Sequence, residues 1–484
     1  MQPNLEADLL CVYGSGELTP MLKQWLQRNE ARQLIFMHEG DSASTSLTEQ
    51  NHPRARHLLF SPDNEEELCK QIAWESVFSS LAFFAFPTLE GIQKERSKQL
   101  FEKIAYYQLG VNMIASDYGD MGKQLFSNIT TNIKKISAAK KGAKLSLPKG
   151  LPAIICGAGP SLTKNVQLLR GLSEKALIFG GGSSLRALSK ARVVPHFSAA
   201  IDPAPPYAIF AEQTAFETPF FYQHRLCQRL HNLVHSTRLW MADQGALALE
   251  RWLCEGLEDP SFDGGWNVAT FSLAIARKLG CNPIILVGMD LCSPKPGDAL
   301  VPTEDHEGKK VYARRDWLIA KEWIEEFAAN HSDIKLINAT EGGLGFKGVP
   351  AAPLASVIAT ELKTNYDLHG MVHAALQHCP LMTGCEEVAR RSAQLEGSVK
   401  RTHALCVALV KEFEDTYPAF PCQKGSFILK QVELEEELAT QKMLIPIWEV
   451  WKHLFARQIP DPNQGLFNQC LFYKRVIEEI YGPI

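Results

Sequence analysis

Short apolar runs, set apart by segments of helical periodicity, organise this chain. The runs Leu9–Tyr13 and 34–37 flank a segment starting at Pro20, in which Met21, Leu22, Trp25 and Leu26 recur at helical spacing. That order predicts a strand, a helix and a second strand. From residue 65 to residue 141 the pattern turns helical. Within it, WESVFSSLAFFAF reads as an apolar stretch packed inside, and 95–116 and 122–139 read as longer helices with charged faces. The basic stretch AAKKGAKLSLPKG, punctuated by glycine and proline, reads as a solvated linker.

After this linker the alternation becomes regular. Ala153–Cys156, 176–179, 197–201, Phe220–Tyr222, 239–241, Ile284–Val287 and 336–337 are apolar runs of strand length. Helical patterns lie between them. One carries Leu162, Val166, Leu169 and Leu172, a second covers 268–279, and a third, around 317–329, follows a polar loop that reaches to about Lys310. Strands alternating with helices predict a mainly parallel sheet. Beyond Pro350 the chain reads as helical, with Trp448, Trp451 and Leu454 as a packing stripe. The predicted fold class is α/β. A degenerate α/β domain that ends in helices covers 1–144, a central Rossmann-like domain with a mainly parallel sheet covers 145–350, and an all-helical C-terminal domain covers 351–484.

Composition narrows the class. The chain has 484 residues, 45% of them hydrophobic and 21% charged, which is ordinary for a globular protein. A net charge of −4 gives no electrostatic case for nucleic acid or an anionic membrane. No run reaches the length of a membrane span. The first residues lack the basic and apolar regions of a secretory signal, and the twelve cysteines lack metal-finger spacing. The expectation is a cytoplasmic protein with reduced thiols and no metal site.

The candidate chemistry falls at strand ends, where parallel sheets bind ligands. Gly157, Ala158, Gly159, Pro160 and Ser161 follow the first strand of the central domain. Gly182, Ser183 and Ser184 follow the second, Asp202 the third, and Asp290 ends a Gly-Met-Asp turn. Gly264, Gly265 and Trp266 open a helix, and Asn338 ends the last strand. The turn at 157–161 has two readings. It is an anion site, with Ser161 capping a helix whose free N–H groups favour phosphate, or it is a plain strand-to-helix turn. The earlier turn Gly14-Ser15-Gly16-Glu17 lacks a third glycine and would set a carboxylate beside any phosphate, so it reads as structural.

The words at these positions add to their spacing. GAGPSL, at 157–162, resembles the core motif of the motility-associated-factor (Maf) glycosyltransferases and of the related pterin diphosphokinase-like (MptE-like) domain. It is also similar to the GNGPSL loop of bacterial lipooligosaccharide sialyltransferases. FGGGSSLRAL, AIDP and DGGWNVATFSLAIARKLGCNPIILVGMDL follow in the matching order. The resemblance implies a Rossmann-like domain that transfers a nonulosonic acid from a CMP-activated donor to serine or threonine of a flagellin-like protein. The implied nucleotide-binding residues are those named at 157–161, 182–184, 202, 264–266 and 290, together with Tyr312. A donor with one phosphate and its own carboxylate implies no obligatory metal.

The same resemblance implies a histidine base in the loop after Gly-x-Asp. Here that loop holds His306, in Thr-Glu-Asp-His-Glu, which also reads as an exposed histidine in an acidic loop. Two positions depart from the family pattern. Ala158 replaces the asparagine of the sialyltransferases, and Cys292 stands where a phosphate-binding tyrosine is expected. Two alternatives remain. One is an ATP-dependent pterin diphosphokinase-like enzyme using magnesium, which needs paired carboxylates where this chain has Asp202 alone. The other is a non-catalytic nucleotide-binding scaffold.

Overall fold

A computed structural model describes residues 6–14, 18–39, 52–77, 79–86, 89–205, 214–242, 248–257, 262–297, 300–416, 425–458 and 462–482. The chain divides into two compact units, Met1–Asp117 with Ile447–Gln469, and Tyr118–Pro446 with Cys470–Ile484.

The first unit begins with β1 (Leu9–Tyr13), α1 (Pro20–Gln27) and β2 (Gln33–Glu39), as the periodicity predicts. Thr19 caps α1 through its hydroxyl, and Pro20 supplies the preset backbone angle of a first helical position. Residues 15–17 of the N-terminal glycine turn lie outside the described residues. β3 (Ala55–Phe60), α2 (Glu65–Glu75), β4 (Leu81–Ala85) and α3 (Gly91–Asn132) follow. The sheet order is β3-β2-β1-β4, all parallel. Leu10, Val12, Leu34 and Phe36 pack on Leu22 and Trp25 on one face, while Cys11, Ile35 and Met37 meet Ile72, Leu100 and Ile104 on the other.

Two expectations fail here. The apolar stretch at 74–86 is not one packed helical segment, because α2 ends at Glu75 and LAFFA forms β4 in register with β1. A distant strand partner decides that, and local periodicity carries no sign of it. The two expected helices after residue 91 are one 42-residue helix. Gly122 weakens a helix by only about 1 kcal/mol, too little to end one held by packing.

The second unit is built on an eight-stranded sheet of order β14-β11-β6-β7-β8-β9-β10-β5, all parallel. In chain order its elements begin with β5 (Lys140–Lys141), β6 (Ala153–Cys156), α4 (Leu162–Asn165), β7 (Leu177–Gly181), α5 (Ser183–Lys190), β8 (Phe197–Ala200) and β9 (Phe220–Tyr222). They continue with α6 (Gln228–Leu233), β10 (Arg238–Trp240), α7 (Ala248–Leu253), α8 (Val268–Lys278) and β11 (Ile284–Val287). An antiparallel hairpin, β12 (Leu300–Glu304) and β13 (Lys310–Arg314), precedes α9 (Arg315–Asn330) and β14 (Leu336–Asn338). The predicted linker is thus part of the sheet, since β5 pairs with β10 and Leu145 and Leu147 are buried.

Strand alternation divides this core. Ala153, Ile155, Phe179 and Leu286 face Phe271, Leu273, Ile324 and Phe327 from α8 and α9. Ile154, Cys156, Ile178 and Val287 face Leu162, Val166, Leu169 and Leu188. After β14 the chain is helical, as expected: α10 (Leu354–Glu361), α11 (Leu368–His378), α12 (Cys385–Thr416), α13 (Gly425–Glu436), α14 (Ile445–Gln458) and α15 (Pro462–Tyr481). Trp448 is buried. No helix among the described residues is long and apolar enough to cross a membrane. The eleven described cysteines are free thiols, and Cys422 lies outside the described residues.

Candidate functional site

After the two-residue edge strand β5, the chain enters the large sheet near its middle. β7 to β10 are added on one side of β6, and β11 and β14 on the other. The crevice outside the carboxyl ends of β6 and β11 is therefore the switch point, where open α/β sheets bind ligands. Because every strand is parallel, the ends of β6, β7, β8, β11 and β14 share one rim. That rim brings together Gly157–Ser161, Gly182–Ser184, Asp202, Asp290 and Asn338. The 264–266 turn joins it through α8, whose first residue, Val268, packs against Gly181 and Gly182.

At the switch point two turns close on each other. The Gly157 amide donates to the Val287 carbonyl at 2.8 Å, and the Gly159 amide to the Gly288 carbonyl at 2.8 Å. A Cβ at Gly157 would stand 2.3 Å from the Gly288 oxygen, and one at Gly159 would stand 1.9 Å from Asp290 Oδ2. These two glycines admit the partner turn. Asp290 then fills the space that an anion would take. Ser161 Oγ donates to Asp290 Oδ2 at 2.6 Å, and the Ser161 amide lies 3.3 Å from both carboxylate oxygens. Burial raises the Asp290 pKa above the ordinary aspartate value, against the opposing pull of the Ser161 hydrogen bonds.

This geometry corrects the expected helix cap. Ser161 has helical backbone angles and makes no cap bond, because its hydroxyl is turned to Asp290. The helix it was to open is the single turn α4, followed by a 3₁₀ segment at Leu168–Gly171. Val166, Leu169 and Leu172 stand three apart, a spacing that keeps side chains in line on a 3₁₀ helix. A one-turn helix has almost no macrodipole to offer a phosphate. Ala158 and Pro160 are the exposed members of the turn.

Along the rim, other groups differ in what they leave free. Ser184 Oγ is taken by the Gly181 backbone, donating to its carbonyl at 2.9 Å and accepting from its amide at 3.0 Å. Ser183 is exposed, and α5 has no side-chain cap. Asp202 is exposed, with its Oδ1 accepting from the Ala204 amide at 3.0 Å. The N-terminus of α8 is closed by Asn267, which accepts from the Ala269 and Thr270 amides at 2.9 and 3.0 Å. In the preceding turn Asp263 accepts from the Gly265 amide and from Trp323 Nε1, both at 2.8 Å. Gly264 is buried, Gly265 is half-buried, and Trp266 packs partly into the core.

The predicted polar loop is the β12–β13 hairpin, and His306 lies in its turn. β-branched Val301, Thr303 and Val311 on either side of a short polar turn containing Gly308 were the sequence signal for it, and Gly308 adopts φ 78°. The His306 amide and its Nδ1 lie 3.1 and 3.0 Å from the Gly343 carbonyl. The next amide, Leu344, donates to the Asp290 carbonyl at 3.0 Å. His306 thus stands one residue removed from the switch-point turns. With Nδ1–H donating to Gly343, Nε2 carries the lone pair. Tyr312, half-buried on β13, exchanges backbone hydrogen bonds with Ser293 at 2.7 and 2.9 Å. Cys292 is half-buried beside it, with its thiol pushed up to about 11 by burial, Asp290 and Asp305. At neutral pH it is an uncharged thiol.

Two concavities, of about 420 and 390 Å³, lie away from this rim, one beside Phe101 and one between Lys144 and α11.

The sequence profile of the 6-hydroxymethylpterin diphosphokinase MptE-like family matches residues 123–296. Among solved structures, the chain is similar to a MAf glycosyltransferase from Magnetospirillum magneticum AMB-1. The two are 16% identical, the alignment covers 98% of this chain and 77% of that one, and the TM-score is 0.57. At that identity the likeness is one of fold. No curated protein sequence matches significantly. The resemblance read from GAGPSL and its companions, to the Maf and MptE-like group, is the one these comparisons return.

Proposed function

We propose that this protein is a Maf-type glycosyltransferase, moving a nonulosonic, sialic-acid-like sugar from a CMP-activated donor to a protein hydroxyl. The observation that carries this reading is fold similarity to a glycosyltransferase over nearly the whole chain, with a histidine at the switch-point rim. In the reaction the acceptor oxygen attacks the anomeric carbon of the sugar. The bond to the phosphate oxygen breaks, and CMP leaves with the electron pair. The hydroxyl proton passes to His306 Nε2. The leaving phosphate needs hydrogen-bond donors. The amides of the 157–161 turn are largely spent on Val287, Gly288 and Asp290, so Ser183 and the uncapped start of α5 are the better donors. A single phosphate needs no bridging metal, and a flagellin-like acceptor remains the family expectation.

The test is a thermal-shift and calorimetry panel on the full chain, since a ligand that binds only the native state raises apparent stability. CMP or CDP should stabilise more than ATP, with or without magnesium. Stabilisation by ATP only, and only with magnesium, would replace this reading with a diphosphokinase one. The family profile favours that second reading. Against it, the carboxylate of Asp290 is engaged by Ser161 and is not free to bridge magnesium.

A further inference from the structure

At the ends of β9 and β10 three side chains with metal-ligating atoms converge in the interior. His224 follows β9, Glu250 lies in α7, and Cys254 follows that helix. Glu250 is 3% exposed, Cys254 9%, and the His224 side chain 0%. His224 Nδ1 lies 3.0 Å from Glu250 Oε1 and 3.8 Å from Cys254 Sγ, and one donor atom from each residue lies within 4.8 Å of the others. The 3.0 and 3.8 Å separations suit ligands standing about 2.0–2.3 Å from a central ion with nitrogen, oxygen and sulfur donors.

Hydrogen bonding alone leaves this cluster unsatisfied. The indole N–H of Trp240 donates to the same His224 Nδ1 at 3.0 Å. If Nδ1 offers its lone pair to the indole, an ionised Glu250 sets an acceptor against an acceptor. If Nδ1 carries a proton for Glu250, the indole N–H faces another N–H. In both cases Glu250 Oε2 is buried without a partner among the described residues. Buried polar atoms in that state are rare in native proteins and call for an unseen ion or water.

We propose that His224, Glu250 and Cys254 bind a divalent transition metal of the zinc class. A carboxylate and a thiolate together cancel the charge of a divalent ion, so the loaded site is neutral and suits burial. The thiolate sulfur selects zinc-class ions over magnesium and calcium. On binding, the Cys254 thiol releases its proton to solvent as the sulfur–metal bond forms. The indole N–H of Trp240 then turns to a Glu250 oxygen or to the fourth ligand. The backbone around the site is already pinned. Asn132 Nδ2 donates to the carbonyls of His224 and Leu226 at 2.9 and 2.7 Å, and Arg391 Nη1 to those of Trp252 and Glu255, both at 2.9 Å. Closed on all sides, the ion would tie α7 to the sheet rim rather than meet substrate.

The test uses the tag-free full chain expressed with added zinc. Elemental analysis should find about one zinc per chain. Chelator-stripped protein reloaded with cobalt should show a thiolate-to-cobalt charge-transfer band. Cys254→Ala should lose both metal and band. Should that variant fail to fold, the nearly isosteric Glu250→Gln gives the second reading, with metal affinity lowered at least about tenfold. Native protein that holds no metal and takes up no cobalt would overturn the proposal. Stoichiometric metal retained by both variants would do so equally, because the ion would then sit elsewhere.

Discussion

Replacing Gly159 with alanine tests whether the switch-point turns are organised around Asp290. The new Cβ would stand 1.9 Å from Asp290 Oδ2, 2.5 Å from its Cγ and 2.7 Å from its Cβ. Non-bonded carbon contacts settle near 3.5–4.0 Å, so the carboxylate must withdraw by roughly 1.5 Å. It then leaves the 2.6 Å bond from Ser161 Oγ and the amide contacts at 3.3 Å. Losing a hydrogen bond to a charged group removes about 1.5–3 kcal/mol. Forcing an extra carbon into a packed site adds about 1–3 kcal/mol. The substitution should therefore destabilise the second unit by about 3–6 kcal/mol. Asp290→Gly removes all three clashing atoms, and in that background alanine at 159 should cost less than about 1 kcal/mol. Urea unfolding of the native chain, the two single variants and the double variant gives the coupling. We expect about 2–5 kcal/mol, well above the ~0.5 kcal/mol scatter of independent sites. Strict additivity, or a Gly159→Ala cost below about 1 kcal/mol, would refute the account of this turn.

Asp290 itself makes a pH prediction. Its folded pKa is raised by burial, so the folded chain binds the proton more readily than the unfolded one. Ionisation therefore weakens the fold as pH climbs from the ordinary aspartate range to the raised value, and the loss persists above it. Asp290→Asn should gain thermal stability relative to the native chain over that window; a pH-independent difference in Tm would count against the buried charge. Asn267→Ala removes the cap of α8 and should cost about 1 kcal/mol in denaturant unfolding, whereas no change would mean the cap is dispensable. His306→Ala should slow transfer by roughly a hundredfold or more while CMP affinity holds, because a base acts in the transition state. Equal losses in binding and turnover would remove His306 from that role.

Much of the fold was written in local pattern. Strands such as Ala153–Cys156 and Ile284–Val287 are fully buried apolar runs of strand length between helices, and a parallel sheet follows from that alternation alone. The rim followed too, because parallel strands put all their carboxyl ends on one side. The family likeness was legible because GAGPSL, AIDP and the Gly-Met-Asp turn are local words in a fixed order. What local pattern lacked was partnership across distance. LAFFA became β4 only because Leu9–Tyr13 lies beside it, and Lys140–Lys141 became an edge strand only because β10 does. Ser161 looks like a cap in sequence, yet its hydroxyl binds a carboxylate 129 positions away. Glu250 and Cys254 stand four apart at the end of α7, but His224 lies 26 positions before Glu250, after β9, and only packing joins the three. The sequence determined most strands of the large sheet and which rim would carry polar groups. Tertiary packing decided which of those groups remain free for a ligand, since a hydrogen-bond donor already satisfied by its own chain has little left to offer.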